Sequence, residues 1–409
     1  MNQILTKIGL VSMILALWAE SVELSFVVAL VVLLWHFNGR LAKGMTQMAV
    51  LILGLIAIGS LGIFSMQAGL YGFVKDLVYF LRPLTVLLAT YYSVQRLERK
   101  EDFYNLIVLV GFAFALFHLL DIGIGLLRYR PNLQKFRELF GKLNHVEMVA
   151  LFLVTCIKTL PVKKSRYKII YQFCVAALVI SFLLYFSRTM MVVFFLMVLA
   201  YKGYLKLNAR GAVMLSILAI VGAGFVFFLN QYDPTQVKEP TVASRFLEKV
   251  KNSYTEAFEP IAFDRYLLDR RELWPRWRAY EASLVLAEVD QERKWIQGKG
   301  FGSTVDVGFE VRLNGELMQH LPTVHNGVTY VYMKTGALGL VVYGLIILLL
   351  YLHSYKKTTS IQSKQYHSVL VAVGLYMLAA SMVVTGIFKP YMMITFLAGG
   401  TFALKQFAP

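Results

Sequence analysis

Three residues far apart in the chain have types suited to chemistry: Arg188, Arg276 and His325. Arg188 stands in "FSRTMM" (186–191), a tight turn between two apolar runs. A guanidinium so close to hydrocarbon is costly unless it faces water, a polar cavity or an anion. Its planar fork of donors stays charged and matches phosphate, so a diphosphate-type anion is the chemistry it suits. Arg276 lies in "RWRAYEASLVL" (276–286), where it and Tyr280 are four apart and share one helix face. His325 opens "HNGVTYVYMKTGALGL" (325–340), at the boundary between a polar stretch and an apolar helix. A neutral imidazole with a pKa near working pH is a competent general base. Asn326 or Thr323 is the candidate cap of the helix that follows.

The elements that must position these residues are apolar. The chain has 409 residues, 58% of them hydrophobic and 16% charged. Soluble domains carry about a quarter charged residues, and a run of about 18–20 apolar residues spans a bilayer. Hydropathy marks about twelve segments: 5–19, 22–38, 46–65, 76–94, 104–127, 146–161, 168–186, 189–206, 211–230, 327–352, 367–387 and 391–407. The expected fold is an all-α polytopic membrane protein of about twelve transmembrane helices with one large, partly helical outer loop. Residues 1–230 would form an N-terminal bundle, 231–324 the loop domain and 325–409 the C-terminal helices. The first run leads straight into the second, which reads as an uncleaved span and not a signal peptide. Cys156 and Cys174 both fall in apolar runs and suggest neither a disulfide framework nor a thiolate metal site.

Orientation follows from charge. The loops at 38–44, 95–102, 161–168, 201–210 and 353–364 are strongly basic. The positive-inside rule makes all five cytoplasmic, which requires an even number of spans and both termini inside. The connections 128–145, 186–191, 231–324 and 387–392 then lie outside, carrying the cations Arg137, Arg188 and Lys389. Of the 24 acidic residues, 15 lie within 231–324 beside 13 Lys and Arg, so that loop is nearly neutral. The net charge of +17 therefore belongs to the short loops and is a topology signal, with no nucleic-acid partner implied.

Within the long loop, Phe246, Val250, Tyr254 and Phe258 recur every fourth residue and predict an amphipathic helix over 241–258. A second helix is expected over 273–289, with Pro275 in its first turn and Trp274 and Trp277 at a membrane–water interface. In "IQGKGFGS" (296–303) Gly298, Gly300 and Gly302 alternate. With no preceding strand this is no dinucleotide loop, and a tight turn with close backbone approach is expected. Of the mid-span charges, Arg82 and Asp121 are expected to form a structural pair.

Three of these motifs together resemble the O-antigen ligase and polymerase superfamily of bacterial envelope glycosyltransferases. "FSRTMMVVFF" resembles its outer-turn arginine and following span, "RWRAYEASLVL" with the later "GKGFG" resembles its loop helix and glycine turn, and "HNGVTYVYMKTGALGL" resembles its His-Asn motif. The likeness covers 186–344, and the first half of the chain matches only in hydropathy. It implies a GT-C-like enzyme of the bacterial inner membrane with a periplasmic site. Its donor would be a glycan on undecaprenyl diphosphate and its acceptor a lipid A-core sugar, with membrane lipid as the further partner. His325 matches the family's essential histidine, and Arg188 and Arg276 match the arginines proposed to bind diphosphate. Arg278, Arg271, Tyr280, Asn326, Arg137 and Lys389 complete the candidate substrate-binding set. Which of Arg270, Arg271, Arg276 and Arg278 meets the diphosphate stays open. No carboxylate cluster at metal-ligand spacing occurs in the outer segments, so neither a metal nor another cofactor is expected. The alternatives are a repeat-unit polymerase of the same superfamily and, in a different class, a transporter of lipid-linked glycan.

Overall fold

Long uncharged runs of aliphatic and aromatic side chains fold in hydrocarbon as helices, which satisfy their own backbone. The computed structural model describes residues 2–64, 69–128, 139–140, 144–157, 165–231, 247, 273, 276–313, 316–358 and 360–408. Among these residues the chain forms thirteen α-helices. They are α1 (Asn2–Trp18), α2 (Val22–His36), α3 (Lys43–Ser60), α4 (Gly69–Arg96), α5 (Asp102–Arg128), α6 (His145–Ile157), α7 (Ser165–Leu184), α8 (Arg188–Tyr201), α9 (Ala209–Gln231), α10 (Trp277–Gln291), α11 (Gly327–Tyr351), α12 (Ile361–Val383) and α13 (Ile394–Gln406). All but α10 coincide with the apolar segments read from the sequence. Six helices, α3, α4, α5, α9, α11 and α12, are long and apolar enough to cross a membrane. Helices α1, α2, α6, α7 and α8 are shorter and equally apolar. This is a helical, membrane-embedded architecture.

The long loop is partly helical, as expected, and adds strands to an otherwise all-α fold. Its described part holds α10 and then an antiparallel hairpin, β1 (Val305–Leu313) and β2 (Glu316–Leu321). Val305 pairs with Leu321 and Leu313 with Glu316, with an irregularity between Asp306 and Val311. The helix expected over 241–258 lies outside the described residues.

Helix α4 is the centre of the bundle, packed by α2, α3 and α13, whereas α9 is exposed nearly all round. One end of the bundle is built from basic loops. There Asn38 donates to Gln95, Gln95 and Tyr91 donate to Gln406, and the backbone N of Leu207 reaches the hydroxyls of Tyr351 and Tyr355. Helix α11 runs from that end to the other, where it begins just after His325.

Charges inside the bundle are arranged differently from the expectation. Asp121 is exposed, and Arg82 donates instead to the carbonyls of Ile387 (2.7 Å), Lys389 (2.9 Å) and Pro390 (3.1 Å). The proline after Arg82 stays inside α4. The interior ion pair is Lys334 with Asp76, at 2.6 Å and fully buried. Sequence reading missed it because the partners lie 258 residues apart.

That pair anchors the glycine turn. Gly302 N donates to the same Asp76 oxygen at 2.7 Å, and Lys334 Nζ also donates to Ser303 O at 2.5 Å. Helix α11 breaks at Gly336, which has φ 62° and ψ −161°. Its interrupted ladder is completed by the incoming loop. Ala337 N donates to Trp295 O (2.8 Å), Leu338 N to Ile296 O (3.0 Å), and Lys299 N to Met333 O (2.7 Å). A Cβ on Gly298 would sit 2.5 Å from Gly336 N, so the two backbones touch only because both residues are glycine. The expectation of a tight turn with close backbone approach thus describes this loop.

Candidate functional site

The site forms where α10, the start of α11 and the α12–α13 connection meet. Asn326 caps α11: its side-chain oxygen accepts from Thr329 N at 3.0 Å, and its amide donates to Met382 O at 3.2 Å. Gly327 N donates to Val384 O (3.1 Å) and Thr385 Oγ1 to Val324 O (3.1 Å), stitching the connection to the His-Asn segment. These bonds fix the backbone of His325 and occupy Asn326 as a cap.

His325 has a partner that sequence reading missed. Its Nδ1 lies 2.9 and 3.0 Å from the two carboxylate oxygens of Glu281, and its backbone N donates to Glu281 at 2.9 Å. Trp277 Nε1 donates to the same carboxylate at 2.7 Å. Glu281 is 1% exposed while the His325 side chain is 37% exposed. Three donors surround a group that, ionised, only accepts. Nδ1 therefore carries a proton, and Nε2 is the ring atom left for other chemistry. The sequence signal for Glu281 is its place in the motif that carries Arg276 and Arg278, three residues after Arg278.

The cations divide by helix geometry. Arg278 precedes Glu281 by three residues, which puts both on one face of α10. It is exposed and acts electrostatically on Lys389. Arg276 is the exposed N-cap of α10, five residues from Glu281. Lys389 is half-buried in the α12–α13 connection. Burial lowers its pKa below the ordinary lysine value, opposed by the charges of Glu20 and Glu281 and reinforced by Arg278. Lys389, Arg278, Glu20 and the His325–Glu281 pair thus share one electrostatic neighbourhood. Arg188 is the first residue of α8, after Ser187, whose hydroxyl caps the helix, and Phe186, whose φ is 48°. Helix α8 packs along α12, and the segment after its C-terminus bonds Tyr351 and Tyr355 at the basic-loop end, so Arg188 starts at the opposite end, the one where α11 begins after His325.

Tyr280 falls on the opposite side of the expectation. It is 1% exposed, and its hydroxyl donates to Val307 O at 2.7 Å, which ties α10 to the hairpin. Trp277 is buried too, against Tyr280 and Phe309, and is not an interfacial ring. Arg137, Arg270 and Arg271 lie outside the described residues.

Compared with known proteins, the chain matches no family model and no curated protein.

Proposed function

We propose that the protein is a membrane glycosyltransferase of the O-antigen ligase type. It would move a glycan from undecaprenyl diphosphate to a lipid A-core sugar at the periplasmic face of the inner membrane. The observation that carries this reading is the His325–Glu281 pair, half-open and within electrostatic reach of Lys389. The same pairing of a base with an orienting carboxylate recurs in acyl-transfer sites, where it fixes tautomer and ring orientation. The resemblance of three motifs supplies the substrate class.

In this mechanism Glu281 holds Nδ1–H, so Nε2 accepts the proton of the acceptor hydroxyl. The hydroxyl oxygen forms its bond to the anomeric carbon as the bond from that carbon to the diphosphate oxygen breaks. The electron pair leaves with the diphosphate, and the anomeric configuration inverts. Fixed cations at the position where phosphate charge accumulates stabilise that step. Lys389, which feels the charges of Glu281 and Arg278, and Arg278 itself are candidates for this role, with Arg188 and Arg276 as the motif-matched arginines. Asn326 contributes as a helix cap and Tyr280 as a strut, so neither is asked to touch substrate.

The test is reconstitution of purified protein with undecaprenyl-diphosphate glycan and a lipid A-core acceptor. Wild type should give conjugate, and His325→Ala should abolish it while the protein still inserts. Lengthening on the carrier lipid would instead identify a polymerase. Movement of the lipid with its glycan linkage unchanged would identify a transporter.

A further inference from the structure

Among the described residues Arg82 is the largest fully buried polar side chain, and the chemistry above does not use it. It is 1% exposed, one turn and a half into the core from the buried Asp76. A cation in that position ordinarily takes a carboxylate partner, as Lys334 does with Asp76. Among the described residues the hydrogen bonds of Arg82 go to carbonyls, and all of them come from one stretch, 387–390. That stretch carries Lys389. It is stiff on both sides: Gly386 turns it at φ 59°, Pro390 fixes its own φ, and Tyr391 stacks on His145 at 5.2 Å. One buried and two partly buried carbonyls need donors, and one guanidinium fork supplies all three. Among the described residues Arg82 bonds to no acid, so its fork is spent on this turn.

We propose that Arg82 is a positioning residue: by clamping the Ile387, Lys389 and Pro390 carbonyls it holds the Lys389 ammonium beside the His325–Glu281 pair, to meet the donor's diphosphate. The identity of the anion rests on the proposed function, whereas the clamp rests on geometry alone. Arg82 itself stays below the site and reaches the anion only through the turn. Two measurements separate the two levels. In the first, donor KM and kcat are compared for wild type, Lys389→Ala, Arg82→Gln and the double variant, with inorganic pyrophosphate as competitor. Lys389→Ala should raise donor KM on the order of 10–100-fold, the worth of a charge-assisted hydrogen bond. Arg82→Gln should approach that increase with a smaller change in kcat, and the double variant should be no worse than Lys389→Ala alone. Multiplying effects, or an unchanged donor KM in Arg82→Gln, would overturn the proposal. In the second, Lys389→Cys is placed in a Cys156→Ser, Cys174→Ser background and labelled with a charged thiol reagent. Arg82→Lys, which retains the charge but not the fork, should change the labelling rate severalfold, and equal rates would overturn the clamp. If wild type neither transfers glycan nor is inhibited by pyrophosphate, the proposed function falls and the labelling result still judges the clamp.

Discussion

Glu281 accepts three hydrogen bonds within 3.0 Å and thereby decides which nitrogen of His325 is basic. Glu281→Gln offers a donor where the site needs acceptors, so the ring loses its preferred tautomer. Transfer should fall on the order of 10²–10⁴-fold, the worth of a positioned general base, with donor KM little changed. Steady-state kinetics on reconstituted protein checks this. Lys389 gives a pH prediction of definite sign. Burial lowers its pKa, so its charge is lost at a lower pH than for a free lysine. Donor affinity should therefore decline as pH rises through that lowered value, at a lower pH than a free lysine's value of about 10.4 would give. Lys389→Arg, permanently charged, should flatten the alkaline decline in a KM–pH profile. At this scale the sequence was half legible. His325 declared itself by standing at a polar–apolar boundary. Glu281 did not, because its role comes from a partner 44 residues away. Arg276 and Arg278 were indistinguishable as letters, and only the phase of α10 relative to Glu281 separates them.

Among the elements, α11 and the 295–303 loop form one unit. Gly336→Ala would require a side chain at φ 62° and bring a Cβ against Ile296 O and Gly298 N. Such a residue costs about 1–3 kcal/mol from backbone strain alone, before the clash. Thermal unfolding in detergent should show the loss, and Gly344→Ala on the same helix, with open space around it, should not. The Lys334–Asp76 pair behaves as a buried ion pair must. Lys334→Met alone strands a carboxylate and should cost about 3–5 kcal/mol, and adding Asp76→Leu should recover part of it. The helices were readable because hydropathy is a local property. The hairpin was readable in principle, since Val305, Val307, Phe309 and Val311 alternate and Asn314–Gly315 is a hairpin dipeptide. The kink at Gly336 was not readable, because glycine inside a small-residue span also serves close packing.

For the whole molecule, the prediction is one of sidedness. Asn38 and Gln95 meet at the end built from basic loops, and His325, Glu281 and Lys389 meet at the other. Single cysteines replacing Asn38 and Gln319 in a Cys156→Ser, Cys174→Ser background should label from opposite faces with a membrane-impermeant maleimide. Labelling of both from one face would remove the site from the side where a lipid-linked donor is expected. The alternation of basic and non-basic loops was the strongest long-range signal in the sequence, since each loop reports independently on the same topology. What it could not give is which helices surround which. The central position of α4 depends on side chains from α2, α3 and α13, whose order in space no local pattern encodes.

The glycine loop that plugs the break in α11 also sets a clock on assembly. Before residues 295–303 arrive, Ala337 N and Leu338 N have no loop carbonyls to bond, and stranded amides in hydrocarbon are expensive. The lower-energy form of the newly inserted segment is therefore an unbroken helix with Gly336 in the ordinary right-handed region. The loop must also find Gly59, whose carbonyl accepts from Phe301 N at 2.8 Å, so α3 has to be in place first. The break in α11 is thus held by contacts that reach back through the 295–303 loop to α3, and an isolated α11 could not supply them.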